Sequence, residues 1–206
     1  MAKRLKREPD PFRLPKQVRC DINAFLVDLR EASSVGLHLG AGNNRIEGLI
    51  NCDLFNPYAD RKVDARDLKD LQDNSVDLIE HHHMIEHLSF ADFECALTEW
   101  HRVLREDGYL VFTCPDIRAV SLMYLKYTLF KGISKRNEKI DYVVKMFVGS
   151  QEHEGMFHKN HFDAERVRRL LPRYGFEVNL TYTPFPKRST PSLFVVARKR
   201  THRNKA

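Results

Sequence analysis

The chain has 206 residues, enough for one domain with short extensions around a single buried core. Hydrophobic residues make up 42% and charged residues 30%, an ordinary globular balance, and no apolar run approaches the ~18–20 residues of a membrane span. The net charge of +6 sits at the ends: residues 1–19 hold +5, residues 197–206 another +5, and the body is left at −4.

A nucleic-acid footprint would put basic residues on a folded face, so nucleic acid is not the expected partner. The basic tails are suited instead to an acidic partner. No apolar stretch of a signal peptide follows the basic N-terminus, and Cys20, Cys52, Cys95 and Cys114 form no C-x-x-C pair. A cytoplasmic chain with reduced thiols, and without a metal site, is the expectation.

Residues 1–15, with Pro9, Pro11 and Pro15 among charges, predict an extended basic arm. A single domain is expected over 16–198, with a basic tail at 199–206. Val18, Ile22, Phe25, Leu26 and Leu29 recur at helical spacing, predicting an amphipathic helix over 16–33. Four short strands then follow: Val35–Leu39 before a Gly-Ala-Gly turn, Leu49–Cys52 before Asp53, Lys62-Val63 before Asp64-Ala65, and Val76–Ile79 after a polar turn. The segments between Gly42 and Leu49 and between Leu54 and Lys62 have room only for turns. Parallel strands normally need about a dozen residues of connection. Either the crossover helices are reduced to turns or the strands are bounded differently.

Ser89-Phe90-Ala91-Asp92 has the form of a capping box, with Asp in place of the usual Glu. Phe93, Leu97, Trp100, Val103 and Leu104 continue a helix that Gly108 is expected to stop, and Tyr109–Thr113 reads as a buried strand. Residues 117–148 predict a helical insert, part of a cap on the acceptor side over 117–161. In it Met123, Tyr124, Tyr127 and Phe130 are read as helix packing. Asp163 caps a helix with an inner face of Val167, Leu170, Leu171 and Tyr174, closed by Gly175. Phe176–Tyr182 and Ser192–Ala197, joined through 184–191, read as a final strand pair. The whole is an α/β, Rossmann-like fold: a mostly parallel central sheet flanked by helices, with a C-terminal antiparallel strand pair and a small helical cap.

Open parallel sheets bind ligands outside the carboxyl ends of their strands. Gly40–Gly42, Asp53, Asp64-Ala65, His81–His83 and Pro115-Asp116 fall at those ends. Glycines let the backbone approach a ligand closely. An acid after the second strand can accept from both ribose hydroxyls. Asp64 can accept from an exocyclic adenine amine while the Ala65 N–H meets a ring nitrogen. Such contacts suit adenosine.

The series "LHLGAG", "INCDL", "VDARDL…DNSVDLIEHHHMIEHL" and "EWHRVLREDGYLVFTCPD", over Leu37 to Asp116, resembles class I S-adenosylmethionine-dependent methyltransferases. It looks closest to their compact branch, to which "GSQEHEGMFHKNHFDAERVRRLLPRYGF" is also similar. The resemblance implies S-adenosylmethionine as cofactor. Gly40, Ala41 and Gly42 would line its methionine and ribose part, and Asp53 with the adjoining Leu54 would take the ribose. Asp64 and Ala65 would take the adenine, and His82 and His83 would flank the methionine end. It departs from the family pattern in Asn44, which replaces the third glycine, and His38, which replaces the acid usual in the first strand. Methyl transfer to a hydroxyl needs alignment, desolvation and a base. His161 is the first candidate base, then His158, then His83. A small molecule or saccharide methylated on oxygen is the expected acceptor.

Three other readings compete. A dinucleotide dehydrogenase would need glycine where Arg45 stands and an acid later than Asp53. His83-Met84-Ile85-Glu86-His87 matches the H-x-x-E-H pattern of zinc metallohydrolases, which requires both histidines one turn apart on a helix. A non-catalytic protein of methyltransferase-like fold that docks a partner through its basic tails is the third.

Overall fold

The computed structural model describes residues 16–130, 135–183 and 191–200. The expected basic arm, most of the 184–191 connection and the tail beyond residue 200 lie outside the described residues. Seven strands form one sheet: β1 (Gly36–Leu39), β2 (Ile50–Asp53), β3 (Arg61–Lys62), β4 (Val76–His82), β5 (Leu104–Pro115), β6 (Phe176–Tyr182) and β7 (Ser192–Lys199). Their order is β3-β2-β1-β4-β5-β7-β6. Strands β1 to β5 are mutually parallel, and β7 runs antiparallel between β5 and β6. The expected mixed sheet with a C-terminal antiparallel pair is therefore the observed one. β7 continues through Lys199, one residue into the stretch expected as tail; its ammonium is buried and donates to Asn74 Oδ1 and the Leu104 carbonyl.

Five helices accompany the sheet: α1 (Lys16–Ala32), α2 (Phe90–Val103), α3 (Ile117–Leu129), α4 (Arg136–Val148) and α5 (Ala164–Leu170). On one face Ile22, Leu26 and Leu29 of α1 pack on Leu78, Val111, Phe194 and Val196. On the other, Phe93, Leu97 and Trp100 of α2 and Val167 of α5 cover Leu37, Leu39, Ile79, Leu110 and Phe112. Both faces of the central strands are thus buried, as parallel sheets require. The insert is a helix pair with its own small core of Val120, Val143 and Met146, flanked by Met123 and Tyr127. Phe130, expected to pack there, is 64% exposed.

The first three strands connect without crossover helices. Asn51 of β2 does much of their work. Its side-chain oxygen accepts from the Ile46 N–H, and its amide donates to the Ile46 and Leu49 carbonyls. Asp60, at the far end of the next turn, accepts from the Asn51 N–H. Side-chain hydrogen bonds substitute for helical ones, so the backbone of both turns stays satisfied.

Three boundaries correct the sequence expectation. Helix α2 ends at Val103, five residues before Gly108, which lies inside β5. The N–H groups of Asn74 and Ser75 capture the Arg102 and Val103 carbonyls, so Leu104 leaves the helix and pairs directly with Val76. Strand β4 runs on past Ile79 through Glu80, His81 and His82, and β3 falls at Arg61–Lys62 rather than Lys62-Val63. The helix starts follow the sequence reading more closely. Ser89 Oγ accepts from the Asp92 N–H, although Asp92 returns a bond to the Ser89 hydroxyl rather than to its N–H. Asp163 accepts from the Arg166 N–H.

Glu80 is fully buried in the middle of β4. Arg30 of α1 grips it with two hydrogen bonds, 2.8 and 2.6 Å, and His82 Nε2 approaches the same oxygen at 2.8 Å. Burial pushes the carboxyl up, but the hydrogen bonds from His82 and Arg30 more than offset this and bring it to about 2. A group depressed on folding stabilises the fold above its unfolded pKa. That contribution should fade as pH falls from roughly 4.5 toward 2. Replacing Arg30 with Met strands the carboxylate in the interior. We expect a loss of about 3 kcal/mol at pH 7, measured by urea unfolding, and a smaller loss at pH 3, where Glu80 begins to be protonated when its partner is gone.

Candidate cofactor and acceptor site

Chain order reverses between β1 and β4, which are neighbours in the sheet. Ligands bind outside the carboxyl ends at such a switch point. The Gly40-Ala41-Gly42 turn leaves β1 there, and His83 leaves β4. Gly40 and Gly42 both have positive φ, +64° and +49°. A Cβ at Gly40 would meet the Met84 side chain at 2.5 Å, whereas a Cβ at Gly42 would meet nothing within 4 Å. Gly40 therefore serves close packing, and Gly42 borders open space.

Asp53 ends β2 with only 8% of its surface exposed. One carboxylate oxygen accepts from the Gly42 N–H at 2.8 Å, and the other from the Phe55 and Asn56 N–H groups, each at 2.8 Å. Asn56 in turn donates to the Gly42 carbonyl. A single acid thus ties the glycine turn to the β2 end. Leu54 follows it, half-buried.

Asp64 forms a two-pronged pair with Arg66, which also reaches Asp92 at 2.9 Å. The hydrogen bonds from Arg66 hold the Asp64 carboxyl below the usual range. The Ala65 carbonyl accepts from Trp100 Nε1 at 2.9 Å, so the fully buried indole anchors this loop to α2.

The histidines divide between the two faces of the sheet and the loops above it. His38 and His82 lie edge to face, with ring centroids 5.8 Å apart, beside Glu80. His82 Nδ1 is 3.0 Å from Thr113 Oγ1. His81 is fully buried between Phe112, stacked at 5.0 Å, and Trp100. Burial drives its pKa well down, which keeps the ring neutral. His83, with φ +51°, lies within hydrogen-bond distance of Glu86 and Ser192.

Residues Ile85–His87 form one 3-10 turn rather than an α-helix. His83 and His87 accordingly do not share a helical face, which removes the basis of the zinc-hydrolase pattern. His87 instead meets His158, ring centroids 4.9 Å apart. The strap carrying His158 is pinned to this turn: the Lys159 and Asn160 N–H groups both donate to the Glu86 carbonyl. His161 lies against Phe147 of α4 at 6.4 Å. Burial lowers its pKa, and the charges of His158 and Arg166 add to the effect. Arg166 also donates to Asn160 Oδ1 and to the His161 carbonyl.

Asn160 and the His87–His158 contact escaped the sequence reading. Asn160 lies in the family-like stretch but was given no role there, and 71 positions separate His87 from His158. The H-x-x-E-H spacing was a signal for the second, attached to the wrong partner.

A cavity of about 1000 Å³ opens at the other end of the sheet, beside His101, Tyr174, Glu177 and Arg198. It contains none of these candidate residues and lies at the amino ends of the parallel strands, away from the switch point.

Comparison with known proteins finds a matching domain family over part of the chain and solved structures of like fold. Residues 37–112 match the model of a family described as a methyltransferase domain. None of the curated proteins compared matches the chain. Among solved structures, a methyltransferase from Methanosarcina mazei is similar, with TM-score 0.57 and 13% identity, covering 85% of this chain and 97% of that one. Another from Archaeoglobus fulgidus has TM-score 0.54 and 15% identity, covering 91% and 96%. The 1,6-didemethyltoxoflavin N1-methyltransferase of Burkholderia thailandensis, solved with its substrate and S-adenosylhomocysteine, has TM-score 0.52 and 14% identity, covering 94% of each chain. The matched segment runs from β1 into β5 and carries the glycine turn, Asp53 and the β4 end, and over its length the chain shares the fold of these methyltransferases.

Proposed function

We propose that the chain is a class I S-adenosylmethionine-dependent methyltransferase that transfers the methyl group of S-adenosylmethionine to an oxygen of a small molecule or saccharide. The observation that carries the cofactor side is the Asp53 carboxylate bonded to the Gly42 N–H beside open space. Gly40, Ala41 and Gly42 approach the methionine and ribose part, Asp53 and Leu54 the ribose, Asp64 and Ala65 the adenine, and His82 and His83 the methionine end. When bound, the cofactor supplies a methyl group on a sulfonium. The protein aligns the acceptor, excludes water and takes the acceptor's proton.

The acceptor enters under the cap of 117–161, and His161 is the base we favour over His158 and His83. The Burkholderia relative holds a small heterocycle, which supports a small acceptor here. The acidic body and the location of positive charge in the tails disfavour a nucleic-acid polymer and leave the tails for an acidic partner. No helix among the described residues is long and apolar enough to cross a membrane, consistent with the cytoplasmic location we propose.

Calorimetry with S-adenosylhomocysteine tests the cofactor assignments. Asp53→Ala should weaken binding by about tenfold or more, the worth of hydrogen bonds to a charged group. Gly42→Ala should also weaken it, because the added methyl projects into ligand space while its backbone strain costs only about 1 kcal/mol. Wild-type protein that binds no S-adenosylhomocysteine at millimolar concentration would overturn the reading.

The base assignment predicts a pH profile. His161 titrates below its ordinary value of about 6.5, so it is already the neutral, proton-accepting form at pH 7. Methylation rate should climb with pH only below that value and stay flat above it, and His161→Ala should lose about 100-fold in kcat. A rate still rising between pH 7.5 and 9 would remove His161 from the role.

A further inference from the structure

We propose that Glu86, His87 and His158 bind one divalent transition-metal ion of the zinc class, with a coordination position left open to water or to an acceptor oxygen. One potential ligand atom from each of the three residues lies within 4.8 Å of the other two. Around a tetrahedral ion with bonds near 2.1 Å, ligand atoms stand about 3.4 Å apart, so small rotations of the two half-buried imidazoles close the site.

Three independent features favour a cation. His87 Nδ1 lies 3.2 Å from the Phe157 carbonyl, and His158 Nδ1 lies 2.8 Å from the Met146 carbonyl. A carbonyl can only accept, so each Nδ1 carries the proton and each Nε2 keeps its lone pair. This is the arrangement that orients metal-bound imidazoles. Glu86 is 1% exposed, and its Oε2 is buried with no hydrogen-bond partner among the described residues. A buried carboxylate oxygen without a donor is costly, and a bound cation satisfies it. The other oxygen, 3.1 Å from His83 Nδ1, is fixed by that contact, which makes His83 a positioning residue. Finally, the two N–H groups on the Glu86 carbonyl hold the strap and the turn in register, so the ligands from distant parts of the chain meet on a braced backbone.

Two imidazoles with one carboxylate suit zinc, cobalt, nickel or iron(II) rather than magnesium or calcium, which prefer all-oxygen sites. Three protein ligands leave room for a fourth, as in zinc sites that bind water or substrate. The assignment departs from the sequence expectation of no metal. It also differs from the hydrolase pattern, since His158 and not His83 joins His87. It takes His158 away from the proton and leaves His161 for that task. Only the acceptor-oxygen clause rests on the methyltransferase reading.

The experiment uses the full chain, stripped with a chelator and titrated with Co2+ while the visible absorption of the ion is followed, then with Zn2+ in competition. One equivalent of Co2+ should bind and be displaced by Zn2+. His158→Ala and Glu86→Gln should each weaken binding by about 100-fold or more, while His153→Ala, at an exposed histidine outside the cluster, should leave it unchanged. If the buried Glu86 variant does not fold, His158→Ala decides the matter alone. Folded wild-type protein that binds neither ion at about 100 μM, or a His158→Ala variant of equal affinity, overturns the site. S-adenosylhomocysteine binding measured on the same samples separates the two claims: its persistence without metal binding defeats the metal site only, and metal binding without it defeats the cofactor reading only.

Discussion

The Glu80 carboxylate at the middle of the sheet is the constraint around which one whole face is organised. A charge in that position cannot be hydrated, so it must be met by protein groups. Arg30 is the main one, and it comes from α1, the helix that covers that face. The apolar packing of Ile22, Leu26 and Leu29 gives α1 its affinity for the sheet but little sense of position along it. The bidentate pair supplies position, because a guanidinium fork fits a carboxylate in one orientation. His82 completes the set and hands the constraint on to Thr113 in β5. Two elements, α1 and β5, are thereby fixed relative to β4.

Where crossover helices are absent, side chains again satisfy what the backbone leaves open. Asn51 and Asp60 satisfy the turns after β1 and β2, and His38 Nδ1 lies 3.0 Å from Asn51 Oδ1. Asp53 then bonds the outer ends of both turns together. The compact edge is therefore not a loose version of a longer one. Its short connections are cross-braced by Asn51 and Asp53 of β2, so the carboxylate beside Gly42 has its position already determined. Preorganisation of this kind lowers the cost of binding.

Much of the architecture could be read from residues because local chemistry and tertiary packing agreed. Ser89 and Asp163 stand at helix starts where their side chains accept the orphan N–H groups, and the apolar spacing of α1 and α2 matches the faces they bury. The errors arose where packing overrode local signals. Glu80-His81-His82 was expected beyond the end of the fourth strand and is the second half of β4, since Arg30 neutralises the first and an aromatic sandwich accommodates the second. Gly108 looked like a helix stop, but hydrogen bonds from the 74–75 turn end α2 earlier. The order of acids at the strand ends was legible since Asp53 is the last residue of β2 and Asp64 lies two residues past β3. Which imidazoles meet was not, because that depends on where a strap more than 60 residues later returns to the sheet.

That strap joins the two halves of the site. It leaves α4 at Gly149, donates from His158 N–H to the Val148 carbonyl, and then lays Lys159 and Asn160 on Glu86 before Phe162 bonds the start of α3. The cap's helices pack chiefly on one another, so their orientation over the sheet depends on these backbone bonds more than on a shared core. Glu86 lies three residues after His83 and on the same turn that presses Met84 against Gly40. A displacement of the strap is consequently felt at Glu86, and through the turn at the glycine that begins the cofactor edge. The proposed acceptor side and the proposed cofactor edge are thus joined by one short backbone junction. The histidines gathered there occupy the place where a change in charge or coordination would act on both.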